Sequence, residues 1–254
     1  MEKLVSEAGA ELELFPVESD RTLPTVIICP GGGYSWLSDR EKEPVATAFN
    51  SQGFHAAILN YHVNIENLGF QPMYDLAWAV SCIRNAVGFS VDKQKIFVCG
   101  FSAGGHVAAE LGVYWDSREL FPAGNCREHK PDGLILCYPV ITAGEYAHKE
   151  SIGMLSDDES VWNWFSLEKH VSSKVPPSFI WHTVTDTDVP VQNSVLFAEA
   201  LLQCHVPLEL HLFPYGVHGL SLATKEVEEP SKGRFADNHV AMWMDLCADW
   251  IRNC

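Results

Sequence analysis

Two kinds of segment alternate along this chain: short unbroken apolar runs, and longer stretches whose apolar residues recur at helical spacing. Val26-Ile27-Ile28-Cys29 is apolar throughout and ends at Pro30 and three glycines, which predicts a buried strand feeding a tight loop. His55–Tyr61, Lys95–Cys99, Gly133–Tyr138 and Ser178–His182 read the same way. Leu208–Phe213 alternates instead, as a more exposed strand near a sheet edge should. Helices are predicted over Glu43–Gln52, where Gly53 stops the run, and over Met73–Val87, where Leu76, Val80, Ile83 and Val87 form one apolar stripe. Further helices are expected at Gly104–Tyr114, Val191–Leu202 and Asp237–Arg252. Strands alternating with helices imply an α/β protein with a mostly parallel sheet covered on both faces. The region before Val26 is short, so antiparallel strands preceding it are expected to be few or displaced.

In such sheets ligands and chemistry gather at the carboxyl ends of the strands. There the chain carries Gly100-Phe101-Ser102-Ala103-Gly104-Gly105, between an apolar run and a helical one. Strand, Gly-x-Ser-x-Gly turn and helix together make a nucleophile elbow. A serine on a strained turn needs small residues two before and two after it, which Gly100 and Gly104 supply. The helix beyond Ser102 would point unpaired N–H groups at a developing oxyanion.

A serine hydroxyl is a weak nucleophile and needs a base, which in turn needs an orienting acid. In this architecture the order along the chain is Ser, Asp or Glu, then His. Asp186 and Asp188 both follow the strand ending at His182; Asp186 is favoured, at the loop tip before Val189-Pro190, with Asp188 as a capping residue. Of the 11 histidines, His218 lies after the acid on a loop flanked by Gly216 and Gly219, whereas His182, His211 and His239 fall inside predicted elements. Pro30-Gly31-Gly32-Gly33-Tyr34 has the glycines that let backbone N–H groups approach a substrate oxygen, so Gly32, Gly33 and Ala103 are the expected oxyanion donors. The loop lacks the Gly-Lys-Ser/Thr of a P-loop and the spacing of a dinucleotide site. No His/Cys/Asp spacing suggests a metal, and no cofactor is expected.

Composition narrows the picture. The chain has 254 residues, 47% hydrophobic, with no Pro/Gly/Ser-rich or charged linker, which suits one domain over 1–254 with a large core. A net charge of −16 repels phosphate backbones and anionic membranes, so neither nucleic acid nor a membrane is an expected partner. The eight cysteines form no CxxC pair, the first residues show no signal-peptide core, and no apolar run approaches a membrane span. Reduced thiols in a cytoplasmic protein are the expectation.

Pro30–Tyr34, Arg40-Glu41-Lys42-Glu43-Pro44, Gly100–His106, Tyr138-Pro139-Val140-Ile141, Trp181–Thr183 through Asn193-Ser194, and Gly216–Gly219 together resemble the α/β-hydrolases. Within them the chain is most similar to the esterase/lipase group, near hormone-sensitive-lipase-like and acetyl-xylan-esterase-like carbohydrate esterases. Related lipases usually have His before the glycines, where Pro30 stands here. The resemblance implies an α/β-hydrolase fold and a serine carboxylic-ester hydrolase acting on acetyl or other short acyl esters, often on sugars. It also implies a homo-oligomer, a dimer or more.

Residues 142–175 have no strand pattern and read as a small cap insertion over the site. Trp162 and Trp164 within it, and Tyr34 and Trp36 beside the glycine loop, are candidates for stacking on a sugar ring or for packing the cap onto the body. Six acidic residues in the cap argue against a long-chain lipase lid. A peptidase would bring a large gating domain, and a non-catalytic binding protein would have no need of the Ser/Asp/His set.

Overall fold

The computed structural model describes residues 2–85, 87–122 and 126–254. Its centre is an eight-stranded sheet in the order β1-β2-β4-β3-β5-β6-β7-β8. The parallel strands are β3 (Leu23–Cys29), β4 (His55–Asn60), β5 (Val91–Phe101), β6 (Gly133–Cys137), β7 (Ser178–Thr183) and β8 (Leu208–Phe213). Val26 to Cys29 are buried without exception, because helices cover both faces of a parallel sheet. Alternate side chains divide between two cores: Ile27 and Cys29 join one, Val26 and Ile28 the other. β8 lies at the edge and is half-buried, as its alternation predicts.

The amino-terminal region supplies two antiparallel strands, few as expected. β1 (Glu2–Val5) and β2 (Glu11–Phe15) form an antiparallel hairpin, and β2 pairs with β4. Leu12 and Leu14 are its buried positions, while charged neighbours interrupt any apolar run.

The first core takes α2 (Gln71–Asn85), α3 (Ala103–Tyr114) and α5 (Gln192–Gln203); the second takes α1 (Glu43–Ser51). The helix predicted to reach Val87 crosses position 86, which lies outside the described residues. The single closing helix predicted over Asp237–Arg252 is two helices, Asn238–Ala241 and Trp243–Asn253. Asp237 caps the first through the amides of His239 and Val240, and Met242 between them keeps right-handed helical angles. Residues 142–175 contain α4 (Lys149–Leu155) and two 3₁₀ turns, Glu159–Phe165 and Leu167–Lys169, but no strand.

The strand order places the site. From β3 the chain goes to β4 on one side, and β5 then lies on the other side of β3. Loops after adjacent strands at such a switch point diverge and leave a crevice. The loops after β3 and β5 are the glycine loop and the Ser102 turn, with Cys29 level with Gly100.

Candidate active site

Ser102 has φ 53° and ψ −117°, a conformation an L-residue adopts at a cost, so its surroundings must hold it there. The amide of Ser102 donates to Cys137 O at 3.0 Å, and its carbonyl accepts from Val140 N at 3.0 Å, which pins the turn to the end of β6. The flanking glycines are steric necessities. A Cβ on Gly100 would lie 2.2 Å from Gly104 O, and one on Gly104 would lie 2.1 Å from Cys29 O.

Ser102 Oγ lies 2.8 Å from His218 Nε2, and His218 Nδ1 lies 2.6 Å from Asp186 Oδ2. A carboxylate can only accept, so Nδ1 carries the proton and Nε2 is left to accept from the serine hydroxyl. Asp186 is buried; its Oδ1 accepts from the amides of Asp188 and Val189, both at 3.0 Å. Burial by itself pushes this carboxyl up, but hydrogen bonds and charge from His182 and His218 outweigh it and hold the group well below the usual carboxylate range. Asp188 is exposed and lines the cavity, but among the described residues the carboxylate hydrogen-bonded to His218 is that of Asp186.

The expected oxyanion donors converge on the same place. Gly31 lies so close to the elbow that a Cβ there would be 3.0 Å from Ser102 Cβ. Gly32 has φ 134°, and a Cβ on it would lie 2.0 Å from Trp36 O. Among the described residues, the amides of Gly32, Gly33 and Ala103 have no hydrogen-bond acceptor, and Ala103 is the first residue of α3, where no intrahelical acceptor exists. Gly32, Gly33, Ser102 and His218 line a cavity of about 220 Å³.

Several residues that position this machinery carried no role in the sequence reading. Buried Glu41 accepts from Gly31 N at 2.8 Å and from Tyr138 Oη at 2.7 Å, tying the glycine loop to the strand end beside the elbow. Buried His182 donates from Nε2 toward Val189 O and Asp186 Oδ2, at 3.0 and 3.3 Å, while its Nδ1 accepts from Ser194 Oγ. Arg234 donates to His218 O and Arg40 to Gly219 O, both at 2.8 Å, which fixes the histidine loop from its backbone side. The sequence showed each of these as one polar residue among many. Arg40, Glu41 and His182 stood inside segments that carry the family resemblance, but those segments assigned them no task.

Three of the expected substrate-binding aromatics lie elsewhere. Tyr34 is buried, because φ 64° turns its ring inward, where Oη meets His106 Nδ1 at 2.9 Å. Trp162 donates to Ser156 O, and Trp164 stacks on His170 with ring centroids 5.9 Å apart; neither lines the Ser102 cavity. Trp164 packs the insertion onto Phe70 and Tyr114, and Trp162 packs against the same core. Trp36 does line the cavity, half-exposed, with Lys232 Nζ 5.4 Å from its ring centroid.

Known proteins share this arrangement of strands and loops. The BD-FAE family matches residues 13–134. Endo-1,4-beta-xylanase B of Butyrivibrio fibrisolvens is 39% identical over 231 residues, 83% of this chain. The chain spans 36% of that relative's length. Among solved structures, an acetyl ester-xyloside bifunctional hydrolase from Caldicellulosiruptor lactoaceticus is 37% identical with a TM-score of 0.84, covering 98% of this chain and 89% of that one. A carboxylesterase from Lactobacillus plantarum is 31% identical with a TM-score of 0.84, over 99% of this chain and 96% of that one. A likeness of this degree over nearly the whole of each chain makes this protein a member of the α/β-hydrolase esterases.

Proposed function

We propose that this chain is a serine carboxylic-ester hydrolase for short-acyl esters, with acetylated sugars or oligosaccharides as its substrates. The observation that carries the proposal is the unbroken hydrogen-bonded line from Ser102 Oγ through His218 to buried Asp186, beside three unpaired backbone amides. In the first step His218 Nε2 takes the hydroxyl proton as Ser102 Oγ attacks the ester carbonyl carbon. The carbonyl oxygen becomes an oxyanion held by the Gly32, Gly33 and Ala103 amides. Asp186 stabilises the imidazolium, which then protonates the departing alkoxide. Water, activated by the same imidazole, attacks the acyl-enzyme and releases the acid.

The substrate class follows from size and polarity. A cavity of about 220 Å³ is smaller than the roughly 300 Å³ at which drug-sized ligand sites begin. Its wall includes Ser35, Ser38, Glu150, Asp188 and Arg234, which suits a small polar ester better than a long acyl chain. The names of two relatives, a xylanase and an acetyl ester-xyloside hydrolase, point the same way. Acetate release from acetylated xylo-oligosaccharides, beside a chain-length series of p-nitrophenyl esters, tests the reading. Ser102→Ala should abolish both activities and labelling by a fluorophosphonate. Retained hydrolysis by the purified mutant, or a preference for long acyl chains, would overturn it.

A further inference from the structure

We propose that His148 is a specificity-determining residue whose Nε2–H donates a hydrogen bond to a hydroxyl on the alcohol part of the substrate. The cavity would thereby select esters of polyhydroxy compounds. The inference rests on the reading of Ser102 as an ester-cleaving nucleophile, and it names what recognises the leaving group.

His148 lies between the end of β6 and α4, on the wall of the cavity that holds Ser102 and His218. Its tautomer is set by a neighbour. The amide of Ser151 donates to His148 Nδ1 at 3.2 Å, and Ser151 Oγ lies 2.8 Å from the same nitrogen. An atom that accepts an N–H cannot itself be protonated, so the neutral ring carries its proton on Nε2. Burial and the nearby His218 both push His148 below the ordinary histidine range, so the ring is neutral at pH 7.

The Nδ1 edge is thus occupied by α4, and Nε2 is the polar atom left to face the cavity. Among the described residues it has no hydrogen-bond partner; its nearest carboxylate, Glu150 Oε2, is 3.9 Å away, beyond hydrogen-bond reach. Nothing in the proposed course from Ser102 attack to acid release uses it. The wall beside it carries Glu150 and Asp188, which can only accept when ionised, and Trp36, whose ring offers an apolar face. One fixed donor, two acceptors and an aromatic face match a ring that bears several hydroxyls. An alcohol without hydroxyls would leave the donor and acceptors without partners.

Two substitutions separate recognition from helix capping. His148→Asn retains an acceptor where Nδ1 stands, so α4 stays capped, but it has no donor at the Nε2 position. His148→Gln restores an N–H near that position and loses the cap. The measurements are kcat/KM for a monoacetylated xyloside and for p-nitrophenyl acetate, the Kd for methyl β-xyloside by NMR titration, and Tm. His148→Asn should lower the ratio of sugar-ester to p-nitrophenyl-ester kcat/KM by about threefold to tenfold, the scale of one neutral hydrogen bond. It should weaken xyloside binding by the same factor. His148→Gln should recover most of both while melting lower than His148→Asn. An unmoved ratio and Kd in His148→Asn, recovery that follows Tm instead of the donor, or a wild type that does not bind the xyloside would each overturn the proposal. A wild type that binds the xyloside through His148 but cleaves no ester would sink the esterase reading, and with it the leaving-group role, while leaving only the hydroxyl contact of His148.

Discussion

His106 couples the elbow helix to its two neighbours, and its burial makes acid the perturbation that exposes this. Its Nε2 lies 3.1 Å from the Phe165 carbonyl, so that nitrogen donates and Nδ1 accepts from Tyr34 Oη. One fully buried imidazole therefore bridges α3, the glycine loop and the insertion. Burial drives its pKa from 6.5 down to about 4, against a smaller upward pull from the Phe165 carbonyl. The folded state holds the ring neutral, whereas the unfolded chain takes up a proton near pH 6.5. Stability from this group is thus full above pH 6.5 and declines as pH falls toward about 4. The gap between the two pKa values corresponds to roughly 3 kcal/mol. The assay is urea denaturation at pH 7 and pH 4 of the wild type and of His106→Gln, which places an uncharged donor near the Phe165 carbonyl. Other titrating groups are common to both proteins, so the difference between their pH responses isolates His106. The wild type should lose roughly 3 kcal/mol more than the variant. A difference below about 1 kcal/mol would refute the claim that this buried imidazole stays neutral.

Gly104→Ala should cost about 4 kcal/mol or more, because the new Cβ would meet backbone at 2.1 Å and no side-chain rotation can relieve it; soluble expression and Tm report this. Glu110→Met should stabilise the protein by roughly 1–3 kcal/mol, since among the described residues both carboxyl oxygens of buried Glu110 lack a hydrogen-bond partner. Burial holds that carboxyl protonated well above its ordinary range while the unfolded chain ionises near pH 4.5, so the gain in Tm should grow as pH rises from 4.5 to 7. A gain that shrinks with pH would contradict this account.

Residues whose roles are local were legible in order along the chain. Unbroken apolar runs mark strands buried on both faces, and glycines mark backbone that must approach other backbone, so the elbow, the glycine loop and Gly-flanked His218 stood out. The first hairpin was not legible, because Glu2–Val5 is only four residues long and almost wholly exposed, so nothing in it signals a partner for the alternating Glu11–Phe15. The sequence left the aromatics undecided between sugar and body, because a tryptophan buries apolar area equally well against a sugar or against Phe70.

Taken alone, the chain determined which elements form and which residues follow each strand, since period and turn chemistry depend on neighbours a few positions apart. It could not rank Asp186 over Asp188 by contact, give Glu41 or His182 a role, or separate Trp36 from Trp164. Those outcomes depend on loops meeting at one end of the sheet, as where Asp186 meets His218, 32 residues on, and Glu41 meets Tyr138, 97 residues on. The turn at Ser102 needs its own glycines, but its contacts with His218, and those of His218 with Asp186, exist only because the loops after β5, β7 and β8 meet at one end of the sheet.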